Sequence, residues 1–361
     1  MSLAFKPDLN DAQDAFNHFW AREKWKRPLL CAAVPKAGSK PLPYDFDPMP
    51  LRYKRAIEGD WSTQFDCLNK WFQNTTFMAE AIPFFAPDFG PDQFAAFLGT
   101  QFYFSDSSQE TNWVYPVLQN SSEYQIEFDV TNQTWQSVLE YTQRLAEFAD
   151  GKFLVGVCDF HSNIDALSAL RTPERLCMDF YDHPELVANA MISIRTIYNS
   201  IYDELYFAGI NNNGKGTIGW APFWCAGKFA TIQSDFICMV SPEIARRFIL
   251  PAIEAEAEFL DHSVFHLDGP GALRHLDNIL AIKNIDVIQW VPGTGQKRMW
   301  EWLEILKKCR EAGKGLHIYD IRPEEVKALH SELGPSGILY EIICSDASEV
   351  VELIKWLELN S

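Results

Sequence analysis

His266 and Asp268 stand two positions apart where the apolar run Ser263–Leu267 ends, just before the turn Gly269-Pro270-Gly271. Side chains alternate along a strand, so both would point to the same face. An imidazole and a carboxylate are ligands that zinc and similar divalent ions accept. The pair therefore predicts a metal centre. Two plainer interpretations stay open: His266 donates a hydrogen bond to a nearby carboxylate, and Asp268 caps the helix that follows.

The ends of other predicted strands add polar and aromatic side chains to the same region. Cys344 ends the last strand and would supply a third metal ligand, or would simply be a buried thiol. The residues expected to bind substrate are Asp159, His161, Trp220, Trp224, Gln289, Trp290, Tyr319 and Glu341, with Phe84 as a further apolar wall. The first two of these could instead cap the next helix, and the tryptophans could simply pack in the core. No residue is predicted as the acid or base of a reaction.

Eight short apolar runs alternate with helical segments along the chain. Strand, helix and strand joined by short Gly/Pro connections are typical of βαβ units, whose parallel strands are buried on both faces. The predicted strands are Leu29–Val34, Glu80–Phe85, Phe153–Cys158, Thr217–Trp220, Ser263–Leu267, Ile285–Trp290, Gly315–Tyr319 and Ile338–Cys344. They predict an α/β fold in which a single (β/α)₈ TIM barrel spans residues 1–361, with a β-rich insertion near 100–130. In such barrels the carboxyl ends of the strands form the active site.

Composition and charge exclude several classes of partner. The chain has 361 residues, 47% of them hydrophobic, and a formal net charge of −18. It contains no Lys/Arg-rich block, so neither nucleic acid nor a membrane surface is an expected partner. Eight scattered cysteines without a CxxC pair predict reduced thiols and a cytoplasmic protein. The expected partners are a small-molecule substrate and, as for many barrels, a second copy of the chain.

Several phrases along the chain resemble the uroporphyrinogen decarboxylase superfamily, which includes zinc-dependent corrinoid and thiol methyltransferases. The resemblance is strongest from about Phe153 to Trp290. It rests on residues 161–167 (HSNIDAL), 179–187 (DFYDHPELV), 233–236 (QSDF), 241–243 (SPE) and 266–271 (HLDGPG). It implies a TIM barrel, in agreement with the number of predicted strands.

The methyltransferase branch of that superfamily holds zinc with a His-x-Cys pair on one strand and a cysteine on the last strand. Here the pair reads His266-x-Asp268, and Cys344 stands at the late position. Aspartate is a harder ligand than cysteine, so divalent ions other than zinc are also admitted. The resemblance implies transfer of a methyl group between a small methylated compound, or the corrinoid of a partner protein, and a thiol-type acceptor.

The resemblance also leaves two other functions open. One is a decarboxylase that acts without metal on uroporphyrinogen or another carboxylate. The true decarboxylase carries an arginine-bearing motif after its first strand, whereas this chain has Ala32–Gly38 without arginine there, and Asp88 is the nearest counterpart of its catalytic aspartate. The other is a barrel that binds a ligand without catalysing a reaction.

Overall fold

The structure is a computed structural model that describes residues 2–39, 49–105, 108–118 and 123–361. Its strands are β1 (Leu29–Pro35), β2 (Thr75–Ala79), β3 (Phe84–Phe85), β4 (Phe102–Ser105), β5 (Ser108–Val114), β6 (Leu154–Val155), β7 (Thr217–Ile218), β8 (Trp224–Cys225), β9 (Phe229–Gln233), β10 (His262–Asp268), β11 (Val287–Val291), β12 (Gly315–Ile321) and β13 (Ile338–Ile342). Its α-helices are α1 (Leu9–Trp20), α2 (Met49–Glu58), α3 (Ser62–Asn74), α4 (Gln93–Phe97), α5 (Gln133–Ala149), α6 (Asn163–Arg171), α7 (Pro173–Asp182), α8 (Pro184–Leu205), α9 (Pro242–Ile244), α10 (Leu250–Phe259), α11 (Gly269–Ala272), α12 (Leu276–Ala281), α13 (Leu303–Glu311), α14 (Pro323–Leu333) and α15 (Ala347–Asn360).

The largest sheet has seven strands in the order β2-β1-β13-β12-β11-β10-β9. β2 runs antiparallel to β1, and all other neighbours are parallel. β1 and β13 are hydrogen-bonded, so the beginning and the end of the chain meet as they do in a barrel. All five residues of β9 are buried, which is typical of a parallel strand covered on both faces.

The remaining strands form three separate pairs. β3 pairs in parallel with β6, β7 pairs antiparallel with β8, and β4 and β5 form an antiparallel hairpin. An isolated bridge joins Val157 to Gly219. Within the described residues, the hydrogen-bonded ladders therefore do not close into a complete barrel. The fold is α/β with a parallel central sheet and many helices, and it is compatible with a TIM-barrel-like arrangement.

The predicted and observed strands differ most in the first two thirds of the chain. Of the predicted strand Glu80–Phe85, the last two residues alone form a ladder, because the beginning of the segment has other partners. The Glu80 N–H donates to the Leu30 carbonyl of β1 at 2.9 Å, the Ala81 N–H donates back to the Met78 carbonyl at 3.1 Å, and Pro83 has no N–H to donate. The sequence patterns also do not predict β2 and β9.

The β4–β5 hairpin lies in the region where a β-rich insertion is expected. Tyr103 and Trp113 stack across it with ring centroids 5.8 Å apart. Residues 106, 107 and 119–122 of that region lie outside the described residues, and residues 123–130 form no strand. The described β structure of the region is therefore limited to residues 102–114.

Helices pack on the sheet and on one another through apolar and aromatic faces. Between α3 and α5, for example, Phe65 stacks on Phe148 with ring centroids 4.6 Å apart. Such contacts follow from the helical spacing of aromatic residues in both segments. Among the described residues, no helix combines the length and the apolar character needed to cross a membrane.

Candidate metal and substrate site

Two carboxylates and one imidazole converge where β9 and β10 end. Ligand atoms of Asp235, His266 and Asp268 all lie within 4.8 Å of one another. β9 and β10 are parallel neighbours, and Gln233 stands opposite His266. Asp235 lies two residues beyond Gln233, and Asp268 lies two residues beyond His266, so the two carboxylates come level. We call these three residues the metal cluster.

Asp165 of α6 positions the loop that carries Asp235. The backbone N–H groups of Asp235 and Phe236 donate to its two carboxylate oxygens, at 2.9 Å each. Burial and the nearby Asp235 raise the pKa of Asp165 to about 7. Burial and Asp235 also raise the pKa of Asp268, against the opposing effect of His266. These carboxylates repel one another, and a cation bound among them would relieve that repulsion.

The loop after β6 adds a histidine to this acidic surrounding. His161 Nε2 lies 3.4 Å from Asp159 Oδ2. Burial alone would lower the pKa of His161, but Asp159, Asp165 and Asp235 together raise it to about 10. His161 has φ +41°, in the left-handed region that a non-glycine residue occupies at a cost. The structure thus brings two of the predicted substrate residues together, beside the metal cluster.

A row of polar side chains crosses the four neighbouring strands β10 to β13. His266 Nδ1 lies 2.5 Å from Gln289 Oε1, Gln289 Nε2 lies 2.9 Å from His317 Nδ1, and His317 Nε2 lies 3.0 Å from Glu341 Oε2. Gln289 and His317 are buried, whereas the Glu341 side chain is 45% exposed. Two predicted substrate residues, Gln289 and Glu341, are therefore connected to the metal cluster. The sequence patterns do not single out His317, which joins them.

A cavity of about 560 Å³ opens beside this polar row. Its walls combine apolar and charged side chains, among them Phe77, Phe84, Trp220, Arg52, Asp88, Glu341 and Cys344. The Trp220 ring lies 5.2 Å from the His266 ring, which places the cavity next to the metal cluster. Burial and Asp159 raise the pKa of Asp88 to about 6. The volume lies in the range of small-molecule sites, about 300–1,000 Å³.

Tyr319 lies at the same end of the sheet as the polar row. Its ring centroid is 5.8 Å from that of His317. Burial raises the pKa of Tyr319 to about 12, and the charges of Asp268, Asp320 and Glu341 add to the effect. These neighbours place the phenol near Asp268 of the metal cluster and Glu341 of the polar row. It therefore carries a proton at neutral pH and can donate a hydrogen bond.

Cys344 is not part of the metal cluster. β13 ends at Ile342, and the thiol turns toward the beginning of α15, where it donates to the Asp346 carbonyl at 3.2 Å and lies 3.4 Å from Glu349 Oε2. Cys344 lines the cavity as well. Among the described residues, Asp235 therefore takes the place in the cluster that the sequence analysis assigns to Cys344. The reason is the order of the strands in the sheet. Asp235 follows β9, which is the neighbour of β10, whereas Cys344 follows β13, which lies three strands away from β10.

Trp224 lies away from the predicted site. It is buried in the β7–β8 pair, where its indole N–H donates to the Lys215 carbonyl at 2.7 Å. Its own carbonyl accepts from the Trp20 indole at 2.8 Å, and Trp20 stacks on His262, the first residue of β10. Trp224 thus lies toward the end of β10 opposite to the metal cluster.

Trp290 also points away from the cavity. It follows Gln289 on β11, and because side chains alternate, it faces the opposite side of the sheet. There it is fully buried and contacts Trp302 with ring centroids 5.2 Å apart. Trp290 is therefore a packing residue, and Trp220 is the predicted tryptophan that lines the cavity.

The metal cluster fits a divalent cation chemically. One imidazole nitrogen and two carboxylates form a set that zinc accepts, and its oxygen-rich character also suits manganese or iron. Two side chains on the adjoining end of β9 leave buried polar atoms without a partner among the described residues, Gln233 Nε2 and Ser234 Oγ. A polar ligand bound there would give both atoms a partner.

Comparison with known proteins supports the fold. No family model matches the chain, and no curated protein matches it. Among solved structures, a methyltransferase from Methanosarcina mazei is similar with a TM-score of 0.58 and 13% sequence identity, over 96% of this chain and 98% of that one. The chain therefore shares its overall fold with that structure. Membership of the uroporphyrinogen decarboxylase superfamily stays a prediction.

Proposed function

We propose that the chain is a metal-dependent methyltransferase whose ion is held by Asp235, His266 and Asp268. The observation that carries the proposal is the convergence of these ligand atoms within 4.8 Å. The adjoining cavity of about 560 Å³ supplies room for a small substrate. The methyltransferase-like fold agrees with this reaction class.

We assign the methyl donor to the cavity and the acceptor to the metal cluster. The donor would be a small methylated compound or the corrinoid of a partner protein, and the acceptor a thiol. A bound divalent ion supplies the positive charge that lowers the pKa of such a thiol. The protonated His161, whose charge Asp159 balances, would donate a hydrogen bond to the acceptor. Trp220 and Phe84 would keep water away from the methyl group.

Elemental analysis of the purified protein tests the metal. We expect roughly one divalent ion per chain in the wild type. The His266→Ala variant is expected to lose it, whereas the control His183→Ala, which removes an exposed histidine, keeps it. Methyl transfer to a thiol should stop after chelation and return when the ion is restored. A folded wild type that binds neither zinc, manganese nor iron would contradict the proposal.

A carboxylate decarboxylase is the second candidate, and the charged walls of the cavity favour it. Arg52 supplies a guanidinium to the cavity, whereas Ala32–Gly38, where the decarboxylase carries its arginine, contains none. Asp88, with a pKa raised to about 6 by burial and Asp159, would exchange a proton with a substrate carbanion. Release of CO₂ that persists in chelator and is lost in Asp88→Asn would favour this function over methyl transfer.

A further inference from the structure

The polar row from His266 to Glu341 links the metal cluster to the cavity wall. Its three hydrogen bonds, at 2.5, 2.9 and 3.0 Å, run from one strand to the next across β10, β11, β12 and β13. The two central side chains are buried, with Gln289 4% and His317 1% exposed. Glu341, at the far end, is half-exposed and lines the cavity.

Hydrogen-bond chemistry determines the direction of the protons in this row. The Glu341 carboxylate can only accept, so His317 Nε2 must carry a hydrogen. The Gln289 amide nitrogen can only donate, so His317 Nδ1, 2.9 Å away, accepts its hydrogen. The amide oxygen then faces His266 Nδ1, which must therefore be the N–H of that ring. His266 Nε2 is left with its lone pair free for an ion.

We propose that Glu341, His317 and Gln289 are positioning residues that hold His266 as its Nδ1–H tautomer and so set the affinity of the metal cluster for its ion. The inference rests on the proposed metal centre and adds the residues that tune it. Partners of this kind orient metal-binding imidazoles, and their loss typically weakens binding about 10- to 100-fold. Because Glu341 also faces the cavity, a ligand that competes for its carboxylate would change metal affinity from a distance of three strands.

Competition titration with Zn²⁺ and a chromophoric chelator tests the row in the full-length protein. We expect Gln289→Leu and Glu341→Ala each to weaken Zn²⁺ binding by about 10- to 100-fold. Glu341→Gln keeps an acceptor for His317 Nε2–H, so its affinity should stay within about threefold of the wild type. Asp320→Asn is the matched control, since it removes a charge near Tyr319 without touching the row.

The Zn²⁺ affinity of a double variant shows whether Glu341 and Gln289 act through one connected row or independently of each other. If Glu341 acts through Gln289, adding Glu341→Ala to Gln289→Leu should weaken binding no further. Fully additive losses would overturn the proposal. Glu341 is half-exposed, so its variants are expected to fold, and circular dichroism checks this.

The tautomer itself is measurable by ¹⁵N NMR of the histidine rings in the metal-free protein. A protonated Nδ1 and a bare Nε2 at His266 support the proposal, and the reverse assignment overturns it. The two proposals also fail in different ways. If the wild type does not bind Zn²⁺, the proposed metal centre is wrong. If the wild type and the variants Gln289→Leu and Glu341→Ala all bind Zn²⁺ equally tightly, only the proposed role of the polar row is wrong.

Discussion

The two sides of the molecule position their side chains by different means. The five strands from β9 to β13 are parallel neighbours in one sheet, which we call the ladder side. Their register places Gln233, His266, Gln289 and His317 side by side. On the other side, β3, β6 and β7 have two residues each and are joined by pairs or a single bridge. The ladder side carries the metal cluster, and the short-strand side contributes Phe84, Asp88 and Trp220 to the cavity.

This difference suggests a division of tasks. The neighbouring strands of a continuous sheet fix the spacing of their side chains, and metal binding requires a geometry held to within about 0.5 Å. Short strands and loops leave more freedom for the walls of a substrate cavity to differ in shape. We therefore expect metal binding to depend on residues of the ladder side and structural stability to depend on aromatic packing elsewhere. Four predictions are ordered here by the size of the effect that we expect, beginning with the largest.

The largest effect is expected from Asp235→Asn. The change removes one of two carboxylates from the metal cluster, so affinity for Zn²⁺ should fall by more than about 100-fold, beyond the loss typical of outer partners. Asp277→Asn, which alters a side chain that is 80% exposed, is the control and should bind as the wild type does. Calorimetric titration measures both. An unchanged Zn²⁺ affinity of Asp235→Asn would mean that the metal does not bind at the end of β9.

Trp224→Ala is expected to destabilise the protein without affecting metal binding. Trp224 is 4% exposed and bonded to Lys215, so its loss should lower the free energy of unfolding by about 3–5 kcal/mol. Trp220→Ala, at the half-buried cavity wall, should cost less than about 2 kcal/mol. Urea denaturation measures the two values. A larger loss for Trp220 would reverse the assignment of packing and cavity roles.

Glu256→Gln is expected to stabilise the protein at alkaline pH. Glu256 is 2% exposed, and burial raises its pKa to about 8 in spite of bonds from Ser162 and Asn163. The folded state retains the proton of Glu256 more strongly than the unfolded state does. The contribution of Glu256 to the free energy of unfolding is therefore fully present below about pH 4.5 and is lost as the pH rises toward 8. The variant avoids this decline, so it should exceed the wild type by about 1–3 kcal/mol at pH 8 and match it near pH 4.5.

Thermal unfolding at several pH values measures this effect. The control is Glu254→Gln, which changes an exposed carboxylate on the same helix. Its stability should follow that of the wild type at every pH. A Glu256→Gln difference that does not grow with pH would mean that Glu256 is already ionised in the fold.

Cys344→Ser should have the smallest effect. Its thiol bonds near α15 and lies outside the metal cluster, so Zn²⁺ affinity should remain within about twofold of the wild type. Titration under the conditions used for Asp235→Asn makes the two results comparable. A loss of tenfold or more would restore the thiol as a ligand.

Most of the fold's ladder side could be predicted from the sequence. The apolar runs that form β10 to β13 are bounded by Gly and Pro, and each begins or ends within a few residues of its predicted position. The short-strand side was harder, because the chain turns after β2, where the Ala81 N–H donates to the Met78 carbonyl, and no local pattern reveals this turn. The run Phe229–Gln233, all apolar or neutral and followed by Ser-Asp, was a usable signal for β9 and thus for Asp235.

The amino-acid sequence by itself determined that His266 and Asp268 face the same way, because alternation along a strand is a local property of the backbone. The same alternation puts Gln289 and Trp290 on opposite faces of the sheet, although both are expected from the sequence to bind substrate. Only the tertiary structure decided that Asp235 joins the metal cluster, that His317 connects Gln289 to Glu341, and that Cys344 stays apart. These depend on which strands are neighbours and in what register, and distant parts of the chain decide both together.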